Sequence, residues 1–564
     1  MPSNRQGVSE IPHICLEHGI NHAVISSGSR SAPLMLAFAS HSRFSCVSIT
    51  DERSAAYYAL GMAQQLQKPV VLICTSGTAV ANYAPALAEA YYLKVPLLVL
   101  TADRPAEWID QNDGQTIRQF DIFRKLVMKS YQMPVDTEKE NDLWYFRRTM
   151  NEAIGYCTLN NPGPVHINIP LNEPLYTPLP KVTETPTALK VVSGNHNLST
   201  ESWLQINQSW KSFRNKLIVC GFSSTKNQKL QHTLAQMATN NEAVVIAENL
   251  SNLYGEDFID TPEQFIARLE FKQMDSFQPD LLVTIGGSII SKRLKKSLRQ
   301  YRPIEHWHVD ENELFIDTFQ SLNLNIRTTP ELFFSKVSGE GVANPSYCEL
   351  AKNLLKETQI IRNEFIRNAE FSDLRAWTEV FEQLPSNINL HLANSTPVRY
   401  AQLFKSRNDI SYFSNRGTSG IDGCVSTAAG AAAVTEKLNV LLLGDLAFIY
   451  DSNGLWNNNL STNLRIVVMD NDGGNIFKLI ESGPEVDKIS PFIVSPHKVK
   501  IRDLCSAYGV EYLFADELNS LKNILSDFFK PNERPVVLHI KTSGNDSAQV
   551  FKEYFQNIKN SNHE

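Results

Sequence analysis

Val440-Leu441-Leu442-Leu443-Gly444-Asp445-Leu446 and Ile466-Val467-Val468-Met469-Asp470-Asn471-Asp472-Gly473-Gly474 are two aliphatic runs, each ending in an acidic, glycine-bearing turn. Unbroken aliphatic runs predict strands buried on both faces, as in a parallel sheet covered by helices. Two such strands side by side bring Asp445 and Asn471 to one sheet edge, where open α/β sheets take their ligands. Asp445 offers a charge, Asn471 a neutral oxygen, and Gly473 lets its backbone carbonyl come close. Hard oxygens suit Mg²⁺ or Mn²⁺, which keep coordination positions open for phosphate oxygens. A metal-bridged diphosphate site is therefore expected, with Asp445, Asn471 and Gly473 as metal ligands.

The same logic runs outward through the chain. Ala23-Val24-Ile25, Val47-Ser48-Ile49, Val70-Val71-Leu72-Ile73, Leu97-Leu98-Val99-Leu100 and Val165-His166-Ile167-Asn168-Ile169 alternate with helical stretches, the mark of a helix-covered parallel sheet. A proline-rich stretch from Pro170 to Pro186 reads as an extended linker. Leu217–Gly221, Ala243–Ala247, Leu281–Gly287 and His306–Val309 give a second α/β pattern, which carries no G-x-G-x-x-G loop and so no dinucleotide assignment. A helical connector around 347–383 leads to the third unit. The expected fold class is α/β with three domains, 1–182, 190–345 and 350–564, each a mostly parallel sheet flanked by helices.

Composition narrows the function. The 564 residues, 42% hydrophobic and 20% charged, fit several ordinary globular cores. A net charge of −7 without a basic tail or cluster gives no footprint for nucleic acid. No uncharged run reaches the ~18 residues of a membrane span, and no apolar leader follows Met1. Eight scattered cysteines without a C-x-x-C pair fit reduced thiols. A cytoplasmic enzyme is expected.

The remaining polar residues gather at strand ends. Ser29 and Arg30 follow the first strand, Arg104 another, and Gln115 sits in the polar loop Gln111–Gln119, read as opening a helix. Lys292 follows the strand ending at Gly286, while Ser395, Arg399 and Arg416 lie in loops of the third unit. Guanidinium forks bind carboxylates in pairs of hydrogen bonds, so a cleft lined by them should accept a substrate with several carboxylates. Glu52 opens the helix Ala55–Leu60; a carboxylate there is already favoured by the helix dipole.

These segments resemble those of thiamine diphosphate (ThDP) enzymes, which pair a Gly-Asp turn with a later Asn-bearing turn. Leu446 replaces a usual glycine and Asp470 a usual asparagine. Within that group the chain is similar to the 2-succinyl-5-enolpyruvyl-6-hydroxy-3-cyclohexene-1-carboxylate (SEPHCHC) synthase family of menaquinone biosynthesis. The likeness rests on Gly28-Ser29-Arg30-Ser31, Asp51-Glu52-Arg53-Ser54, Thr75-Ser76-Gly77-Thr78-Ala79, Thr101-Ala102-Asp103-Arg104-Pro105 and Ser414-Asn415-Arg416-Gly417-Thr418-Ser419-Gly420-Ile421-Asp422-Gly423. The resemblance implies pyrimidine-binding, central and diphosphate-binding domains, and a homodimer or dimer of dimers with active sites at the subunit interface. It implies that Glu52 is the catalytic carboxyl, hydrogen-bonded to the aminopyrimidine. Thr78, Ile421, Gly444, Leu446, Ile476 and Phe477 would complete the cofactor site with Asp445 and Asn471. The diphosphate would take amides after Gly444 and around Gly417–Gly423. The implied reaction is decarboxylation of 2-oxoglutarate and 1,4-addition of the four-carbon carbanion to isochorismate. Ser395, Arg399 and Arg416 would hold the 2-oxoglutarate part; Ser29, Arg30, Arg104, Gln115 and Lys292 would hold isochorismate or the joined product. Another ThDP carboligase, acetohydroxyacid synthase-like and acting on pyruvate, stays open as an alternative.

Overall fold

The aliphatic runs become the central strands of three parallel sheets in the computed structural model, which describes residues 5–159, 161–191, 194, 197–272, 274–312, 315–475 and 484–560. The first sheet contains β1 (His22–Ile25), β2 (Ser45–Ser48), β3 (Val70–Cys74), β4 (Leu97–Asp103), β5 (Lys129–Gln132) and β6 (Val165–Pro170), in the order β2-β1-β3-β4-β6-β5. Every residue of β3, β4 and β6 is buried, whereas the edge strands β2 and β5 are short and polar. The polar composition of β5 hides it from a search for apolar runs.

The middle sheet holds β7 (Lys216–Cys220), β8 (Val244–Ala247), β9 (Leu281–Ile285), β10 (Glu305–Val309) and β11 (Leu324–Ile326), ordered β11-β10-β9-β7-β8. The third sheet holds β12 (Asn389–Leu392), β13 (Ser411–Phe413), β14 (Asn439–Gly444), β15 (Leu464–Asp470), β16 (Glu511–Ala515) and β17 (Val536–Lys541), ordered β13-β12-β14-β15-β17-β16. Strand for strand, this is the winding of the first sheet. The helix anticipated after Gln111–Gln119 does not form. Residues 109–128 make successive turns and bends, with Asp110, Asn112, Gln115 and Asp121 at positive φ, which no α-helix allows. Pro170 closes β6, and from residue 171 to Pro186 the chain runs without helix or strand.

Doubly wound sheets open a crevice where the chain reverses its direction of winding. In the middle sheet that point lies between β7 and β9, and its own backbone fills it. A Cβ at Gly221 would stand 2.1 Å from the Gly287 carbonyl oxygen. The Gly287 amide donates to the Phe222 carbonyl (2.8 Å), and Phe222 N to Ser288 O (3.3 Å). The middle unit docks on the third through Asn252, whose side chain accepts from Tyr412 N (2.8 Å) and donates to Tyr412 O (2.9 Å). One amide side chain thus continues the ladder beyond edge strand β13 and covers it.

The first and third units meet in a helix crossing. Glu52–Leu66 lies against Cys424–Ala432 so closely that a Cβ at Gly61 would sit 1.9 Å from the Thr427 carbonyl oxygen, and one at Gly430 2.0 Å from the Tyr58 oxygen. The two helices and the strands beneath them, including Leu72, Val99, Leu441 and Val468, share one continuous hydrophobic cluster. Gly430→Ala is expected to cost on the order of 3 kcal/mol, because backbone rather than a flexible side chain must move. Gly114→Ala, in open space, should be nearly neutral. Comparing the urea unfolding midpoints of the two variants checks this, and equal midpoints would contradict the close crossing.

Candidate functional site

The carboxyl ends of the strands carry almost all the residues singled out from the sequence. In the third sheet, Asp445 follows β14 and is buried. Its carboxylate accepts the Gly473 amide (2.6 Å) and the Leu446 amide (2.7 Å), and lies 3.2 Å from His497 Nε2. Gly473 reaches it because the turn after β15 passes through positive φ at Asp472 and Gly473. Oxygens and nitrogen of Asp445, Asp470 and His497 all lie within 4.8 Å of one another. Burial, and then the neighbouring Asp470 charge, push the Asp445 carboxyl above its ordinary value. Burial pushes Asp470 up as well, but hydrogen bonds from His539 and Lys541 outweigh it and hold Asp470 low.

Asn471 sits in the same turn, and its orientation is set from outside the turn. Its Nδ2 donates to buried Asp373 (2.7 Å), while Asn475 Nδ2 donates to its Oδ1 (3.1 Å). Asp373 also accepts Thr542 Oγ1 (2.6 Å) and Ser547 Oγ (3.0 Å). The cluster is rich in hard oxygen, and the buried Asn475 Oδ1 has no hydrogen-bond partner among the described residues. Two adjacent buried carboxylates with this surplus of acceptors form a donor set that fits a divalent cation. Ile476 and Phe477 lie outside the described residues.

Two cationic clusters appear. Arg399 and Arg416 are both largely withdrawn from solvent. Burial lowers the pKa of each guanidinium, and Arg416 lowers that of Arg399 further. Arg399 donates to the Ser395 carbonyl, and Arg416 Nη1 to Asn394 Oδ1 (2.9 Å); Ser395 itself is held at φ 76°. Arg416 Nε is buried without an acceptor. Lys292, exposed at the start of the helix Lys292–Gln300, has its amide capped by Glu263 (2.7 Å). In the first unit, Arg104 Nη1 donates to Ser76 Oγ (2.9 Å) and to the Gln115 carbonyl (3.0 Å), and its Nε pairs with Asp113. Gln115 returns a bond to the Ser76 carbonyl (3.2 Å). Arg30, near enough for Arg104 to lower its pKa after burial does, donates to Leu171 O (3.0 Å) and pairs with Glu173 (3.2 Å). Ser29 and Thr78 are exposed at the rim of this group.

Glu52 is half-buried at the first position of its helix. Beside it, Asp51 caps the helix through Ser54 N (3.1 Å) and accepts Asn453 Nδ2 (2.7 Å). Among the described residues, no hydrogen bond or ion pair within one chain joins Glu52 to the Asp445 cluster. Nor does one join Arg30 or Arg104 to Arg399 or Arg416. The expectation that amides around Gly417–Gly423 serve a diphosphate is corrected at Gly417 and Thr418, because both donate to Glu89 (2.7 Å each). Ile421 packs on the shared core, and Gly444 and Leu446 flank Asp445. His497, Asp373, Glu89 and Glu248 escaped the sequence reading. Each lies far along the chain from what it touches, and no local pattern marks it.

Residues 6–122 match the family described as "Thiamine pyrophosphate enzyme, N-terminal TPP binding domain". A protein of Desulfotalea psychrophila named "2-succinyl-5-enolpyruvyl-6-hydroxy-3-cyclohexene-1-carboxylate synthase" is 39% identical over 95% of this chain and 98% of its own length. Proteins of the same name from Flavobacterium johnsoniae (37% identical, 97% of this chain and 98% of its own length) and Cytophaga hutchinsonii (38%, 99% of each) are similarly close.

The raised pKa of Asp445 carries a pH signature. A folded carboxyl that holds its proton more tightly than the unfolded one makes stability fall as pH rises from about 4 towards neutrality. With EDTA present, Asp445→Asn should flatten that slope by on the order of 1–3 kcal/mol across the window. Thermal unfolding at several pH values measures it, and parallel curves for the two proteins would contradict the assignment.

Proposed function

The chain belongs to the family of 2-succinyl-5-enolpyruvyl-6-hydroxy-3-cyclohexene-1-carboxylate synthases, ThDP-dependent enzymes that form a carbon–carbon bond, and we propose that it joins 2-oxoglutarate to isochorismate with loss of CO₂. It works as a homodimer or dimer of dimers in the cytoplasm, with 1–182, 190–345 and 350–564 as pyrimidine-binding, central and diphosphate-binding domains. The observation that carries the proposal is the half-buried Arg399–Arg416 pair. Two like charges close enough to disfavour one another, and partly withdrawn from water, favour an anionic ligand between them, and Arg416 Nε is buried without an acceptor among the described residues. A dicarboxylate such as 2-oxoglutarate meets that need; pyruvate, with one carboxylate, leaves one guanidinium unmatched.

ThDP, when bound, supplies the carbon nucleophile that lets the 2-oxo acid lose CO₂ and the remaining four-carbon unit attack the acceptor. Asp445, Asn471 and the Gly473 carbonyl would hold Mg²⁺ or Mn²⁺, and Asp373, by accepting from Asn471 Nδ2, fixes how that amide is turned. Gly444, Leu446 and Ile421 would line the cofactor's place in the third unit, and Ile476 and Phe477, by the family resemblance, would add apolar contacts to it. Glu52, with Thr78 in the same unit, would face the cofactor's pyrimidine ring, where a carboxyl can exchange a proton with it. Ser395, Arg399 and Arg416 orient 2-oxoglutarate. Ser29, Arg30, Arg104, Gln115 and Lys292 orient isochorismate or the joined product. In the arrangement the family resemblance implies, the first unit of one subunit completes the site with the third unit of its partner.

Glu52→Gln should retain metal-dependent ThDP binding while turnover falls by about two to four orders of magnitude. Arg399→Ala should raise KM for 2-oxoglutarate roughly 30-fold, the worth of one charged contact of about 2 kcal/mol. CO₂ release from 2-oxoglutarate and pyruvate, together with mass detection of the adduct formed with isochorismate, checks the whole assignment. Faster CO₂ release from pyruvate would overturn it.

A further inference from the structure

The loop that carries Arg416 is fixed by a carboxylate from a different unit. Glu89 lies in the helix Ala84–Leu93 of the first unit and is fully buried. Its Oε1 accepts the Gly417 amide at 2.7 Å; its Oε2 accepts the Thr418 amide at 2.7 Å and the Thr418 hydroxyl at 2.6 Å. A Cβ at residue 417 would stand 2.6 Å from the Glu89 carbonyl oxygen, so the loop rests directly on the helix backbone. The Glu89 charge also reaches the Arg416 guanidinium, whose pKa it supports together with Glu248. Glu248 repeats the arrangement one loop away. It is buried, and it accepts the Ile290 and Ser291 amides, both at 2.7 Å, just before Lys292.

A carboxylate in a dry interior needs its lone pairs satisfied, and two consecutive N–H groups with a hydroxyl satisfy those of Glu89. The cost of withdrawing this anion from water is recovered only if the loop keeps one conformation. That conformation sets the position of Arg416, whose own side-chain bond to Asn394 cannot by itself fix the backbone. Within the third unit, Asn394 Nδ2 holds the loop at the Asn415 and Gly420 carbonyls (2.7 Å each) and Ser414 Oγ donates to Leu392 O (2.6 Å); the Gly417 and Thr418 amides between these anchors are held by Glu89 of the first unit.

We propose that Glu89 is a positioning residue for substrate binding: by clamping the Gly417 and Thr418 amides it holds Arg416 where the anionic donor substrate is received. This rests on the assignment of Arg416 to 2-oxoglutarate made above. Steady-state kinetics of the full enzyme with ThDP and Mg²⁺ test it, using Glu89→Gln, Thr418→Val, Arg416→Ala and the double variant Glu89→Gln/Arg416→Ala. Glutamine keeps the shape but faces an amide donor with another donor. It should raise KM for 2-oxoglutarate about tenfold, with kcat within about threefold and with KM for isochorismate and ThDP affinity unchanged. Thr418→Val should produce a smaller shift of the same kind, and it carries the test if Glu89→Gln does not fold. In the Arg416→Ala background, Glu89→Gln should add nothing, because the residue it positions is gone. If Arg416→Ala raises KM while Glu89→Gln changes only thermal stability, or its effects add to those of Arg416→Ala, the clamp is overturned and the proposed function stands. If Arg416→Ala leaves KM for 2-oxoglutarate unchanged, the substrate assignment fails first and the clamp loses its purpose.

Discussion

The approach of two helix backbones at Gly61 and Gly430 governs where everything else in the first and third units can lie. With a carbonyl of each helix occupying the space of a side chain on the other, the two sheets cannot slide or separate without breaking a shared core. Polar contacts ring this crossing. Asp51 meets Asn453, Arg53 meets the Tyr450 carbonyl, Tyr57 meets Asp422, and Glu89 meets the Gly417 and Thr418 amides. None of these would hold its geometry on a looser packing. The carboxyl edges of β1–β4 and β12–β15, where the candidate residues lie, are therefore fixed relative to one another within each chain.

How far the sequence reveals this depends on the range of the interaction. The central strands are legible because burial on both faces demands unbroken aliphatic runs, and β14 and β15 show it most clearly. The edge strands β5, β13 and β16 are not, since a strand of three to five residues, half-exposed in β5 and β16 and only three residues long in β13, carries no distinctive pattern. Asp445 and Asn471 stand out through their turns. The partners that orient them do not: His497 lies in a loop beyond the next described helix, and Asp373 opens a helix before the sheet begins. Asp470, read from sequence as a substitute for asparagine, gains its meaning from parallel pairing, which sets it opposite Lys541 on β17. Glu89 reads as an ordinary acid in an alanine-rich helix; only the fold places it under the Arg416 loop.

Buried carboxylates serve throughout as fasteners for backbone. Glu89 and Glu248 each take two consecutive amides, Asp451 takes the Ser426 amide and hydroxyl, and Asp373 gathers Thr542, Ser547 and Asn471. An interior anion is tolerated only with such a full complement of donors. The same charges offset the burial of Arg416 and Lys295. A chain with a modest overall charge thus sustains strongly cationic pockets, because each pocket is balanced locally by acids on neighbouring elements.

The middle sheet has spent its own crevice. With the Gly221 and Gly287 backbones pressed together at the reversal point, the place where a nucleotide would ordinarily nestle is occupied by protein. The segment leaving β9 emerges instead already braced, and Glu248 hands it on towards Lys292 at the neighbouring unit. A fold that ordinarily opens a crevice is here closed upon its own backbone, and what it presents instead is a braced loop.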